Sequence, residues 1–375
     1  MESKRVKVLW ISCVGEKGGA EVYMLNLLRH LDRSRFQPAV ALLRPGPLKD
    51  ELLAMKVAVH ELPAHRMRQL PKVWNAVCQL RELVRREHYA LVHSNGFRAH
   101  VYGGLAAWRA GVPEVWTVHT VEHPGLSTRA ILSIPTAHVV ANAPRTADWF
   151  VERGLPTSLI WPSIDAEKLL RATGRQALAA KHNLPADARW VTMGARMQRY
   201  KGHEFFLRAL AALPASHNDV HGVIIGGALF GMEQDYPDAL KRLADELGIA
   251  RRVHFTGFIP DEDVAGLLAA SELLVHPALD EDFGLIVAEA QALGKPVLAF
   301  AAHGPAAIIV DGETGCLVPV GDQAVLSRQL ARILSEPQSL AVMGAAGRAR
   351  MQRLFDARDA GAQLMRVYGS VMTGR

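Results

Sequence analysis

Residues Glu281 to Glu289 read EDFGLIVAE, two carboxylates eight positions apart around an apolar run. Paired acids suggest acid/base chemistry first. If Phe283 to Leu293 is a helix, Ile286, Val287, Ala290 and Leu293 form its buried face. Glu281 then precedes the helix and Glu289 lies nearly two turns inside it. At about 1.5 Å rise per residue the acids are about 10 Å apart along the axis, against roughly 5 Å for the carboxylates of a retaining glycosidase. That span suits two contacts on one extended ligand, its phosphates near the helix N-terminus. Taken separately, a solvated Glu289 and a first-turn Glu281 favoured by the helix dipole explain each residue better.

Arg196 and Lys201 lie five positions apart in the loop that follows a strand ending at Gly194. A forked guanidinium and a point-charge ammonium suit a pyrophosphate, although solvated surface cations are the plainer reading. Behind the first strand, Gly15 to Glu21 reads GEKGGAE and opens a helix. Glycines let backbone N–H groups approach an anion, and a helix N-terminus adds partial positive charge. This stretch matches neither GxGxxG nor the P-loop, and a tight strand-to-helix turn explains it equally well.

The elements that must hold these loops recur along the chain. Short β-rich runs alternate with helical patterns, first at VKVLWISCV, QPAVALL, VAVHELP, ALVHSNG, EVWTVHT and AHVVAN. The alternation restarts at RWVTMGA, GVIIGGA, RVHFTGF, ELLVHPA, KPVLAF and GCLVPV. Such alternation predicts parallel sheets with helices on both faces, here as two doubly wound Rossmann-like α/β domains. In open parallel sheets, ligands bind beyond the carboxyl ends of the strands, where these loops lie. A length of 375 residues suits two domains, and 49% hydrophobic residues supply a core for each. We place the linker near Pro162 to Asp165, giving domains 1–163 and 164–355, with a terminal helix over 356–375.

Residues 1–163 carry 21 Lys+Arg against 13 Asp+Glu, a net +8, while the remainder has 22 against 24, a net −2. A basic first half suits a phosphorylated substrate, an anionic membrane surface or nucleic acid. No zinc-ligand spacing, aromatic RNA-binding pattern or basic zipper accompanies it, so nucleic acid is not expected. Cys13, Cys78 and Cys316 are far apart, odd in number and without a CxxC pair. They argue against a disulfide framework and for a reducing compartment, the cytoplasm. The apolar run Val8 to Val14 is too short, and wrongly flanked, for a signal peptide or membrane span.

Together these features resemble the retaining glycosyltransferases of family four (glycosyl transferases group 1), which have the GT-B fold, two such domains facing across a cleft. The resemblance runs through Gly18-Gly19-Ala20-Glu21, Val92-His93, Thr117-Val118-His119, Gly194 to Gly202, Ile225-Gly226-Gly227, Phe255-Thr256-Gly257, Val275-His276-Pro277, Glu281-x7-Glu289, Asp311 to Gly315 and Tyr368. It implies a nucleotide-sugar donor, with UDP or GDP, held mainly by the second domain, and a glycan or lipid-linked acceptor held mainly by the first. It implies that the terminal helix crosses back to the first domain. Arg196 and Lys201 would grip the diphosphate, Glu289 would meet the ribose hydroxyls and Glu281 the sugar. Backbone N–H groups of Phe283, Gly284 and Leu285 would face the sugar and phosphates, with Gly18, Gly19, Gly194 and Phe258 completing the donor contacts. His119 would lie beside the transferred sugar, making His119, Arg196, Lys201 and Glu281 the catalytic set. Glu21, His93, Arg66 and Arg68 are the acceptor candidates. No enzyme nucleophile, cofactor or metal is implied: cations stabilise the leaving diphosphate, which helps deprotonate the acceptor.

Ala307 stands where the family often has Glu, and Pro162-Ser163 replaces its interdomain Asn-Gly, which bears on hinge motion and sugar specificity. Two alternatives stand beside transfer in cell-surface polysaccharide or glycolipid synthesis: a nucleotide-sugar 2-epimerase, and a catalytically idle nucleotide-sugar-binding scaffold. Asp261-Glu262-Asp263 looks like a metal-binding DxD, but its place after Pro260 predicts an N-cap and first-turn acids instead. His276, between a core strand and Pro277, is expected to be structural. The segment from His65 to Glu87 is basic and amphipathic, with Leu70, Val73, Val77, Leu80 and Val84 as its apolar stripe. Its helix is expected to cover a sheet. The loop Arg66 to Pro71 is the expected contact with acceptor or with the inner face of the cell membrane, as a peripheral protein.

Overall fold

The computed structural model describes residues 5–16, 18–63, 68–120, 126–164, 169, 172–228, 233–355 and 357–373. The chain divides into two compact units, one of residues 1–163 and 355–375, the other of residues 164–354.

In the first unit the strands β1 (Val6–Ser12), β2 (Phe36–Leu42), β3 (Ala58–Glu61), β4 (Leu91–Asn95), β5 (Glu114–Val118), β6 (His138–Ala141) and β7 (Thr157–Leu159) form one sheet. Their order is β3-β2-β1-β4-β5-β6-β7, and every described pairing is parallel. β1, β2, β4 and β5 are buried almost throughout, which explains their near-continuous apolar composition: helices cover both faces. One face packs on the helix Gly19–Arg29 and the returning helix Ala357–Thr373, with Tyr23, Leu27, Leu364 and Tyr368 in its core. The other packs on the helices Leu70–Arg86 and Phe97–Ala110 through Val77, Leu80, Tyr102 and Ala106. Phe355 belongs to this unit because its ring meets Trp161 edge-on at 5.3 Å. The sequence reading had ended the second domain one residue later.

The second unit repeats the winding. β8 (Arg189–Gly194), β9 (Val220–Ile225), β10 (Val253–Gly257), β11 (Leu273–His276), β12 (Val297–Phe300) and β13 (Cys316–Val318) lie in the order β10-β9-β8-β11-β12-β13, again parallel. In both sheets the strand order reverses beside the first strand, between β1 and β4 and between β8 and β11. Loops leaving neighbouring strands on either side of that reversal diverge to opposite faces and open a crevice.

Candidate functional site

Lys201 and Glu281 are eighty positions apart in sequence but leave adjacent strands, β8 and β11, at their carboxyl ends. Several contacts stitch the two loops together. The Leu279 N–H donates to the Tyr200 carbonyl at 2.7 Å. Gly202 has φ +78° and lies so close to Pro277 that a Cβ would collide with the Pro277 carbonyl, so only glycine fits there. It ends a single 3-10 turn, Arg199–Lys201, and starts the helix His203–Ala211. Gly194 packs on the Ile286 side chain, so its small size serves helix-to-strand packing.

At this junction the Lys201 ammonium lies 2.7 Å from Glu281 Oε2, and His276 Nε2 lies 3.2 Å from the same oxygen. Lys201 is 8% exposed and His276 1%. Burial alone would raise the Glu281 pKa, but the hydrogen bond from His276 and the charge of Lys201 outweigh it and hold the carboxyl down to about 2. The Gly304 N–H donates to the Glu281 carbonyl at 2.7 Å and fixes the backbone. His203, just behind, is pushed down to about 4, chiefly by burial. His276, expected to be merely structural, therefore touches a proposed site residue, a role that becomes visible only once its strand is placed beside the Glu281 loop.

The helix after this loop runs Leu285–Ala292, shorter at both ends than expected, its start set by Gly284, which adopts φ +88° and acts as its N-cap. Glu281 thus stands four residues ahead of the helix, whose first N–H groups, at Leu285 and Ile286, precede any intrahelical acceptor, while the Val287 N–H donates to the Gly284 carbonyl at 2.9 Å. Phe283 is buried, Leu285 and Glu289 partly so. The buried face is Val287, Ala288, Ala290 and Gln291. Of the expected face, Val287 and Ala290 are buried, whereas Ile286 and Leu293 are only partly so; Gln291 joins the face, its amide donating to the Thr314 carbonyl at 2.8 Å. Arg196 is exposed, with Nη2 at 3.4 Å from the Tyr200 hydroxyl. Phe258 is 60% exposed and lies over Gly227.

In the first unit, Gly18 and Gly19 are exposed at the start of the helix Gly19–Arg29. Glu21, an acceptor candidate, is 6% exposed. Burial raises its pKa, against the opposing backbone N–H groups of Glu21 and Gly18. It reaches back to its N-cap residue and closes the glycine turn. His93, the strand-end acceptor candidate, is packed as a structural residue. Its ring is 0% exposed, stacked on Trp10, with Nδ1 at 2.6 Å from the Tyr368 hydroxyl and Nε2 at 2.6 Å from Thr117 Oγ1. It pins the returning helix to β4 and β5.

His119, just beyond β5, is held between two asparagines. Asn142 Nδ2 donates to Nδ1 at 3.3 Å, and Nε2 donates to Asn95 Oδ1 at 2.8 Å. Burial pushes its pKa down to about 4, so the ring is neutral with both nitrogens engaged. The sequence reading missed Asn95 and Asn142, whose signal was their place at strand ends. Burial pushes the nearby Cys13 thiol up to about 12, against the opposing charges of Arg98 and Arg44. Arg68 is exposed, and Arg66 lies outside the described residues.

The DxD-like stretch supplies the first-turn acids of its helix, as expected, but not the N-cap. Pro260, not an acid, is the N-cap, and Asp263 is 1% exposed, paired with Lys181 at 2.6 Å, His182 at 3.0 Å and Thr173 at 2.9 Å. These three side chains, against the opposing effect of burial, lower its pKa. No cluster of three or more potential metal-ligating side chains occurs among the described residues.

Comparison with known proteins accounts for most of the chain. The family described as Glycosyltransferase Family 4 matches residues 17–168, and Glycosyl transferases group 1 matches residues 174–350. A D-inositol 3-phosphate glycosyltransferase of Streptomyces avermitilis is 32% identical over 397 residues, covering 96% of this chain and 84% of its own length. The protein of that name from Mycobacterium bovis is 30% identical, over 89% of this chain and 75% of its own. The crystal structure of Anabaena Alr3699/HepE in complex with UDP-glucose superposes with a TM-score of 0.84 at 26% identity, covering 98% of this chain and 100% of that one. A glycosyltransferase from Rickettsia africae shares the fold with a TM-score of 0.88 at 18% identity, over 100% of both chains. With two doubly wound parallel sheets and whole-length relatives, this chain belongs to the glycosyl transferases group 1, the glycosyltransferases of family four, whose fold is GT-B.

Proposed function

We propose that the protein transfers a hexosyl group from a nucleoside-diphosphate sugar to an acceptor hydroxyl, with retention of anomeric configuration and without a metal ion. The observation that carries this reading is the buried Lys201–Glu281 pair ahead of a helix N-terminus, in loops from the two strands that flank the sheet reversal. Arg196 and Lys201 neutralise the diphosphate as its bond to the anomeric carbon breaks. The acceptor oxygen bonds to that carbon on the same face and passes its proton to the departing diphosphate. Glu281 accepts from sugar hydroxyls and Glu289 from the ribose, while the N–H groups of Phe283, Gly284 and Leu285 face the sugar and phosphates. His119, neutral with both nitrogens engaged, acts as a fixed contact and not as a proton shuttle. Asp263, occupied by Lys181, His182 and Thr173, supports a reaction that uses cationic side chains in place of a DxD-bound metal.

UDP is the favoured nucleotide, since the Anabaena neighbour was crystallised with UDP-glucose. The named relatives are glycosyltransferases, which favours transfer over the 2-epimerase. A glycan or lipid-linked acceptor is proposed, reached from the cytoplasmic side of the cell membrane, with peripheral contact at its anionic surface. Support for that contact lies in the helix Leu70–Arg86, which presents Leu70 and Trp74 at 69% and 46% exposure beside exposed Arg68 and Lys72. The Arg109 guanidinium covers the Trp74 ring at 4.8 Å. No helix among the described residues is long and apolar enough to cross a membrane.

A thermal-shift comparison of UDP-, GDP- and ADP-sugars tests the donor site. Stabilisation by the UDP-sugar above the others is expected, and no stabilisation by any of them refutes the assignment. Retention is read from the anomeric configuration of the product, and metal independence from unchanged turnover in chelator.

A further inference from the structure

Two donors converge on one oxygen of Glu281. Lys201 Nζ and His276 Nε2 both bind Oε2, and no described residue donates to Oε1. The two donors are mounted differently. Lys201 sits on a single 3-10 turn at the end of a flexible four-carbon stem. His276 is the last residue of β11, an interior strand, and is aligned with Ala299 of β12. Its short side chain has little freedom there. His276 Nδ1 is buried with no hydrogen-bond partner among the described residues. Among the described residues the contact with Glu281 is therefore the one hydrogen bond of this ring, and an unpartnered buried nitrogen is best borne as a lone pair, leaving the proton on Nε2 to be donated.

We propose that His276 is a positioning residue for the transfer: with Lys201 it occupies Oε2 of Glu281 and so presents Oε1 to a hydroxyl of the donor sugar. This rests on the reading that Glu281 contacts that sugar. Lys201 has three N–H bonds and can serve carboxylate and phosphate together, whereas His276 has one and serves the carboxylate alone. The two residues therefore separate in what they affect. Loss of Lys201 touches nucleotide and sugar; loss of His276 touches the sugar and leaves the nucleotide.

The test uses the full chain, with UDP and whichever of UDP-, GDP- and ADP-glucose stabilises the wild type most. Affinity for nucleotide and nucleotide sugar is measured by calorimetry, and donor turnover as release of glucose, which needs no acceptor. His276→Leu is expected to bind the nucleoside diphosphate within about two-fold of wild type but to lose about ten-fold or more in nucleotide-sugar affinity, in turnover, or in both, the scale of one hydrogen bond to a charged group. His276→Gln, which offers an amide N–H at similar reach, recovers most of that loss. Should the leucine variant fail to fold, His276→Asn, polar but too short to reach Glu281, carries the same expectation. Equal impairment of His276→Gln and His276→Leu shows that the ring only fills space and overturns the proposal, as does an unimpaired His276→Leu. Glu281→Gln is the control: if it is impaired while His276→Leu is not, the positioning role alone falls. If Glu281→Gln is also unimpaired, or no nucleotide sugar binds, the donor-site reading falls with it.

Discussion

Lys201 and Glu281 hold each other before any ligand arrives, at 2.7 Å and largely out of solvent. Lys201→Ala leaves the carboxylate with His276 as its remaining described donor, so we expect a stability loss of about 1–3 kcal/mol by chemical denaturation. Donor affinity should fall by at least about ten-fold for the lost phosphate contact. Acid sensitivity follows from the pKa directions. Burial holds His119 and His203 down to about 4 and His93 well below its usual value, so the unfolded chain binds these protons first. Stability is therefore lost as pH falls from about 6.5 towards 4. Glu281, held to about 2 against burial by His276 and Lys201, adds its loss only as pH falls from about 4.5 towards 2. Urea midpoints at pH 7, 5.5 and 4 should fall steadily, and a flat profile contradicts this assignment. Lys201 and Glu281 were legible because their spacing belongs to a motif. His276, Asn95 and Asn142 were not, because each acquires its role from which strand becomes its neighbour. The burial of Glu21 and His93 was not legible either, because burial is a property of the packed chain, invisible in a short motif.

At the scale of elements, the helix Leu70–Arg86 shows where a sequence pattern ends and geometry begins. Its stripe was expected to include Leu70 with Val73, Val77, Leu80 and Val84. The last four are buried, but Leu70, in the first turn, is 69% exposed. The sheet supports the middle of the helix and not its start, and periodicity carries no information about that edge. With Trp74 and Arg109 alongside, the overhang has the mix of aromatic and cationic groups that suits a lipid headgroup layer. Trp74→Ala with Lys72→Glu should weaken sedimentation with anionic phosphatidylglycerol vesicles by about ten-fold, from about 1 kcal/mol per cation plus lost aromatic contact. Thermal stability and UDP affinity should be unchanged. Equal binding of variant and wild type removes the membrane contact. The helix Leu285–Ala292 teaches the same limit at its N-terminus. The apolar run was readable, but its start is set by a left-handed Gly284 that the run does not mark.

Over the whole molecule, the alternation of strand and helix was legible twice because a parallel sheet covered on both faces needs nearly continuous apolar strands. The unequal charge, +8 against −2, was legible by counting, and predicts that vesicle binding declines steeply between about 0.05 and 0.5 M salt as the Debye length shortens. Less legible was how closely residues 355–375 join the first unit. Tyr368 is fully buried there, its hydroxyl 2.6 Å from His93. Deleting Ala357–Thr373 should therefore melt the first unit while the second keeps its own transition, seen as two separated steps in calorimetry with nucleotide sugar shifting only the later one. A single unchanged transition refutes the dependence. The same helix sets a timetable for synthesis. The first unit's core stays open while the 191 residues of the second are made, roughly 10–40 s at ordinary elongation rates. The second unit, complete in itself, is thus able to finish folding before the first, and the nascent chain needs shelter at its beginning for longer than at its middle.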